Sequence, residues 1–162
     1  MKRLIAAVGV MLAVAGGAFA QESTEPFDRH AGYYYPTPGQ IESYVAKVSA
    51  LPDSDRTRRL GFVIGITKEQ QSQNFAPTYA VFAKGDEAEK LIIVGLEDGR
   101  LNSIYRARAL FAMLTAVARV TPFFQENAPA EEATFFDLLK LLGFKQVTIT
   151  DGVAFAHQVL IE

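Results

Sequence analysis

Residues 134–161 read TFFDLLKLLGFKQVTITDGVAFAHQVLI, and the order of patterns in this stretch decides the fold. Thr134-Phe135-Phe136-Asp137 has the form of a capping box, in which a hydroxyl and a carboxylate satisfy the free N–H groups that open a helix. Phe135, Phe136, Leu138, Leu139, Leu141 and Leu142 follow, broken only by Asp137 and Lys140, which read as an exposed helix pair. A helix this apolar, over about 131–142, is buried or faces a partner. Gly143 suits the left-handed residue that closes it. Val147–Thr150 and Val153–Ile161 then flank Asp151-Gly152, a type I′ turn signal, so the chain ends in a hairpin.

Upstream, Asn102 or Ser103 caps a second helix. Ile104, Ala107, Phe111, Leu114 and Ala118 recur on one face of it, widened by Leu110 and Val117, and Thr121-Pro122 ends it. Residues 78–84 and 90–96 read as a strand pair joined by Lys84-Gly85-Asp86-Glu87-Ala88-Glu89. Residues 40–48 alternate like a half-buried strand, suited to a sheet edge. Pro52–Asp55 is a turn starting a short helical stretch that ends near Arg59. Leu60–Thr67, apolar on both faces, reads as an interior strand, and Lys68–Asn74 as a loop or short helix. Strands, two helices and a hairpin predict one α+β domain over 40–162. Its sheet is expected to be antiparallel, with about five to six strands, covered by the two helices.

Residues 21–39 hold Pro26, Pro36, Pro38 and Gly39 and read as an extended arm. Tyr33, Tyr34 and Tyr35 within it either pin the arm to the domain or form an aromatic wall for a ligand or partner. Residues 1–20 have the layout of an export signal. Lys2 and Arg3 precede the apolar run Leu4–Ala15, and Ala18-Phe19-Ala20 fits a cleavage site. The expected location is the periplasm or outside the cell, with no membrane span after cleavage.

The chain has 162 residues, 49% hydrophobic and 21% charged, a globular composition. Removing residues 1–20 leaves 142, enough to bury a core without metal or disulfide staples. It also leaves 14 basic side chains against 18 acidic ones, a net charge of −4, where a nucleic-acid binder shows a basic footprint. Cysteine is absent, which excludes disulfides, thiolate metal sites and cysteine nucleophiles. The two histidines lack metal-ligand spacing. Asp53-Ser54-Asp55 begins like a calcium loop but has Arg58 and Ile64 where that loop needs Gly and Glu. No cofactor or metal is implied.

The candidate site residues are few. His157 shares strand phase with Val153, Phe155, Val159 and Ile161, as a core histidine does; as a catalyst it needs a carboxylate and a nucleophile beside it. Arg56, Arg58 and Arg59 cluster, as do Arg100, Arg106 and Arg108; guanidinium groups recognise carboxylate or phosphate, or simply stay solvated. On a helix Arg106 and Arg108 lie about 200° apart, so they do not form one clamp. Arg106 and the three tyrosines are the candidate ligand or partner contacts, for a periplasmic protein or a small molecule.

Several segments together carry a resemblance: Ala31-Gly32-Tyr33-Tyr34-Tyr35-Pro36, Glu89–Val94, Tyr105–Leu110, Thr134–Lys140 and Phe155-Ala156-His157-Gln158. The chain resembles, over nearly all of residues 21–162, a family of small exported alphaproteobacterial proteins with no established activity. Some members are labelled molybdopterin-guanine dinucleotide biosynthesis protein A, which would imply a nucleotidyltransferase using GTP and magnesium. That enzyme opens with a glycine-rich loop followed by Ser, Arg and Lys. Here Ala15-Gly16-Gly17 is its only fragment, inside the export signal, and no residue of that active site carries over. The residues thus favour a non-catalytic exported binding or accessory module over an enzyme, whether a hydrolase using His157 or that nucleotidyltransferase.

Overall fold

The computed structural model describes residues 36–97, 100–128 and 132–162. Among them run β1 (Gln40–Tyr44), α1 (Arg56–Ser72), β2 (Tyr79–Lys84), β3 (Lys90–Gly95), α2 (Ile104–Arg119), α3 (Pro122–Asn127), α4 (Phe135–Leu141), β4 (Gln146–Thr150) and β5 (Ala156–Ile161). The class is α+β, as expected. The sheet, however, is mixed rather than antiparallel, in the order β1-β5-β4-β3-β2. β2–β3 and β4–β5 are antiparallel, while β3–β4 and β1–β5 are parallel. A parallel pair needs a long crossover, and α2, α3 and α4 supply one between β3 and β4.

Four helices, not two, occupy the described residues. The expected strand 60–67 lies inside α1, and the helical stretch expected to end near Arg59 runs on from Arg56 to Ser72. Asp55 caps α1 by accepting from the Arg58 backbone N–H at 2.8 Å. Pro122, expected only to end α2, also opens α3, where its missing N–H costs nothing. α4 starts at Phe135, later than 131. The last turn differs as well. Asp151 is not in the left-handed region that a type I′ turn requires. Its Oδ1 instead accepts from the backbone N–H groups of Val153, Ala154 and Phe155, each at 2.9 Å, closing a longer loop.

All four helices send side chains into a core on one face of the sheet. Val81, Leu91, Ile93, Val147, Ile149, Val159 and Ile161 meet Ala107, Phe111, Leu114 and Ala118 of α2, Phe124 of α3 and Phe135, Leu138 and Leu139 of α4 there. Ile92, on the other face of β3, is also buried. That two-sided burial explains the continuous apolar run at 91–94.

Two polar residues lock the periphery to this core. Asp137, expected to be exposed, is fully buried. Its Oδ2 accepts from the Thr134 backbone N–H and the Tyr44 hydroxyl, and its Oδ1 from the Lys47 backbone N–H, each at 2.7 Å. The start of α4 is thereby tied to the end of β1. Arg59, expected among solvated charges, is 5% exposed. It donates to the carbonyls of Glu87 at 2.8 Å, Ser54 at 2.9 Å and Gly143 at 3.3 Å, covering the open carbonyls after α4. Gly143 has φ +78, and a Cβ there would stand 2.6 Å from Arg59 Nη1.

Candidate functional site

The strand register places His157 on the core face of β5. It is 1% exposed, and its Nε2 lies 3.6 Å from Glu42 Oε2. Arg108 holds the other oxygen of that carboxylate at 2.7 Å. Burial, aided by the Arg108 charge, pushes the imidazole below its ordinary value of 6.5 against the opposing pull of Glu42. Near neutral pH His157 is therefore uncharged. Its Nδ1 is buried and has no hydrogen-bond partner. A carboxylate thus stands near the candidate base, but His157 lines neither of the two cavities described next.

Those cavities lie side by side where α1 and α2 pass over β2. The first, about 600 Å³, is lined by Thr78, Tyr79, Glu97, Arg100, Leu101, Arg106, Ala109, Leu110 and Met113. The second, about 410 Å³, is lined by Phe62, Gly65, Ile66, Glu69, Gln70, Tyr79, Met113, Leu114, Val117, Ala118, Thr121, Phe135 and Leu138. Tyr79 and Met113 line both and form the ridge between them. Both volumes fall within the range of about 300–1,000 Å³ typical of small-molecule sites.

Local structure sets this cleft. On α2 the core stripe Ala107, Phe111, Leu114 and Ala118 turns inward, which leaves Arg106, Leu110, Met113 and Val117 along the flank beside α1. Met113 is 48% and Val117 56% exposed, apolar side chains that the core does not use. On α1, Phe62 and Ile66 pack partly on the core and partly line the apolar cavity. Gln70 donates from Nε2 to the Tyr79 carbonyl at 3.0 Å, fixing the end of α1 to β2. Burial raises the Tyr79 phenol above its ordinary value, so it stays neutral. Arg100 pairs with Glu97 at 3.1 Å at the polar end.

Of the expected site residues, Arg106 lines the polar cavity. His157 lies inside the core, apart from it. Tyr33, Tyr34 and Tyr35, with most of the expected arm and all of the expected export signal, fall outside the described residues. The sequence reading missed Tyr79, Met113, Phe62 and Ile66 as a group. Of these only Met113 has a signal, the apolar Leu110 and Val117 on the same flank of α2, which reads as a widening of the core stripe. No group of three or more metal-ligating side chains occurs among the described residues. Comparison with known proteins finds no matching family, no matching curated protein and no matching solved structure.

Proposed function

We propose that this chain is an exported, non-catalytic binding module whose site is the cleft between α1, α2 and β2. The observation that carries this reading is the pair of adjoining cavities sharing Tyr79 and Met113, one apolar and one bearing arginine. A mostly apolar cavity wall with a few polar groups at one end is the usual form of a small-molecule site. Tyr33–Tyr35 enter the same reading as the contact for a protein partner. The hydrolase alternative has one observation in its favour, Glu42 within 4 Å of His157, but it also needs a nucleophile and an open approach to that ring.

The test uses N-phenyl-1-naphthylamine, a neutral apolar dye that brightens when it leaves water. It is expected to bind the protein saturably at one site. Met113→Trp fills the ridge from a half-exposed position, so the fold tolerates it, and should weaken dye binding about tenfold or more, a loss of roughly 1.4 kcal/mol. Unsaturable dye binding, or equal affinity in a folded M113W variant, overturns the assignment of the cleft.

A further inference from the structure

We infer that the face of the sheet turned away from the helices is a docking surface, and that its occupant is this chain's own residues 21–35, seated through Tyr33–Tyr35. The cleft lies on the helix side, so the inference goes beyond the binding-module reading and does not depend on it.

The first observation is burial where none of the described helices packs. Strand alternation turns Ile92, Thr148, Thr150 and Ala156 away from the core that the helices fill. Ile92, Thr148 and Thr150 are nonetheless at most 2% exposed, and Ala156 is 5% exposed. On a bare sheet face such side chains meet water. Thr148 Oγ1 is buried too and has no hydrogen-bond partner among the described residues, whereas a hydroxyl on a wet face bonds to water. This burial belongs to a single copy of the chain, so the cover is a segment of the same chain.

The second observation is where the described chain begins. It starts at Pro36, and the Gly39 backbone N–H donates to the Ala156 carbonyl at 3.2 Å, beside the buried patch. Residues 98–99 and 129–131 adjoin Leu101, Ala128 and Ala133, which pack into the core on the helix side. The N-terminal segment is then the one long enough to cover the other face, and residues 1–20 of it read as an export signal. Tyr35 is four residues from Gly39 and Tyr33 six, reaches of at most about 14 and 21 Å, while β5 to β2 is three strand spacings, about 14 Å.

The third is the fit. Two rows of paired residues cross the sheet on this face, Ala156-Thr150-Val94-Ala80 and Gln158-Thr148-Ile92-Phe82, and neither holds a charge. The first starts beside Gly39. Lys84 and Lys90 stand in the next row, farther from it. Alanines and threonines leave low ground on which a flat ring can lie. Tyrosine supplies that ring together with a hydroxyl of the kind Thr148 Oγ1 lacks. Successive side chains of an extended segment point to opposite sides, so seating some of the tyrosines leaves the others outward for a partner.

The experiment uses the absence of cysteine: Thr148→Cys gives the full chain a single thiol on this face. That thiol is expected to react slowly with dithionitrobenzoate, and at least about tenfold faster once Tyr33, Tyr34 and Tyr35 are all replaced by Ala. Val147→Cys, on the helix side, should stay slow with or without the tyrosines, which shows that the fold persists. A fast thiol in T148C itself, or an unchanged rate in the folded tyrosine-free variant, overturns the inference. A second measurement needs no loss of contact. p-Benzoylphenylalanine in place of Tyr34 should photocrosslink within one chain to peptides of β3, β4 or β5. Crosslinks to the helices alone overturn the docking. Crosslinks between two chains, with protection of T148C that fades on dilution, assign the cover to a second copy and overturn the assignment to the chain's own arm. None of these outcomes bears on dye binding in the cleft.

Discussion

At Asp137 burial and hydrogen bonding pull the carboxyl in opposite directions. Burial raises its pKa, but the bonds from the Lys47 and Thr134 backbones and from the Tyr44 and Thr134 hydroxyls outweigh it and hold the group below its ordinary 3.8. Hydrogen bonds to a charged acceptor contribute about 1.5–3 kcal/mol each, and a buried N–H left unpaired costs a further desolvation penalty. Asp137→Ala strands two backbone donors at once, so it is expected to cost about 3 kcal/mol or more, read as a lower urea midpoint. An unchanged midpoint would mean that water replaces the carboxylate. The pH dependence has two windows. A carboxyl with a depressed pKa stabilises the fold above 3.8, and that contribution fades as pH falls below it. For His157 the folded value is also depressed, so the unfolded chain takes up its proton first. Stability then declines as pH falls below 6.5, well before the carboxyl window opens. His157→Gln should flatten urea midpoints measured between pH 6.5 and about 5. The same slope in that variant would assign the acid sensitivity to other groups.

α1 is the element where local preference and final structure disagree most. Val63, Ile64, Ile66 and Thr67 are β-branched, and Gly61 and Gly65 weaken a helix, so the segment resembles a strand by propensity as well as by pattern. The structure selects Phe62, Val63 and Ile66 for the core, a helical spacing, and leaves Ile64 53% exposed. The deciding interactions are the Asp55 cap and the Arg59 anchor on the carbonyls after α4, and the second is not visible in local sequence. A Cβ at Gly61 meets nothing within 4 Å. Gly61→Ala is accordingly expected to stabilise by about 0.5–1 kcal/mol in chemical denaturation, and a lower midpoint would show that α1 is not helical there in solution. Elements whose signals are local were legible: α2 from its stripe and Ser103, α4 from its capping box, and β2 and β3 from the polar loop between them. α3 was not, because a six-residue helix has no period to read and Pro122 serves equally as a stop and a start. For the same reason Arg106 was legible as a candidate ligand or partner contact, while the cleft beside it was not, since one of its walls is the helix that reads as a strand.

Over the whole molecule, what the residues do not disclose is pairing between distant segments. Alternation tells which face of a strand is buried, but not whether its neighbour runs with it or against it, so β1–β5 and β3–β4 carried no signal of being parallel. The order β1-β5-β4-β3-β2 puts the strands on either side of α1 at opposite edges of the sheet. α1 and its two loops therefore span from one edge to the other, and this path gives the cleft its α1 wall.

The pairing of β1 with β5 has a further consequence. The two are joined along their length, the Ser43 hydroxyl donates to Glu162 across 119 positions, and the Glu162 backbone N–H reaches the Tyr44 carbonyl at 2.9 Å. Among the described residues β1 precedes in the chain every segment it binds, and α4, which supplies Asp137 to Tyr44, comes nearly as late as its partner strand. Until β5 is in place, β1 lacks its neighbour among the described strands. Closing this edge of the sheet thus requires a loop of more than a hundred residues to close first, so the β1–β5 pairing is expected to be a late step in folding.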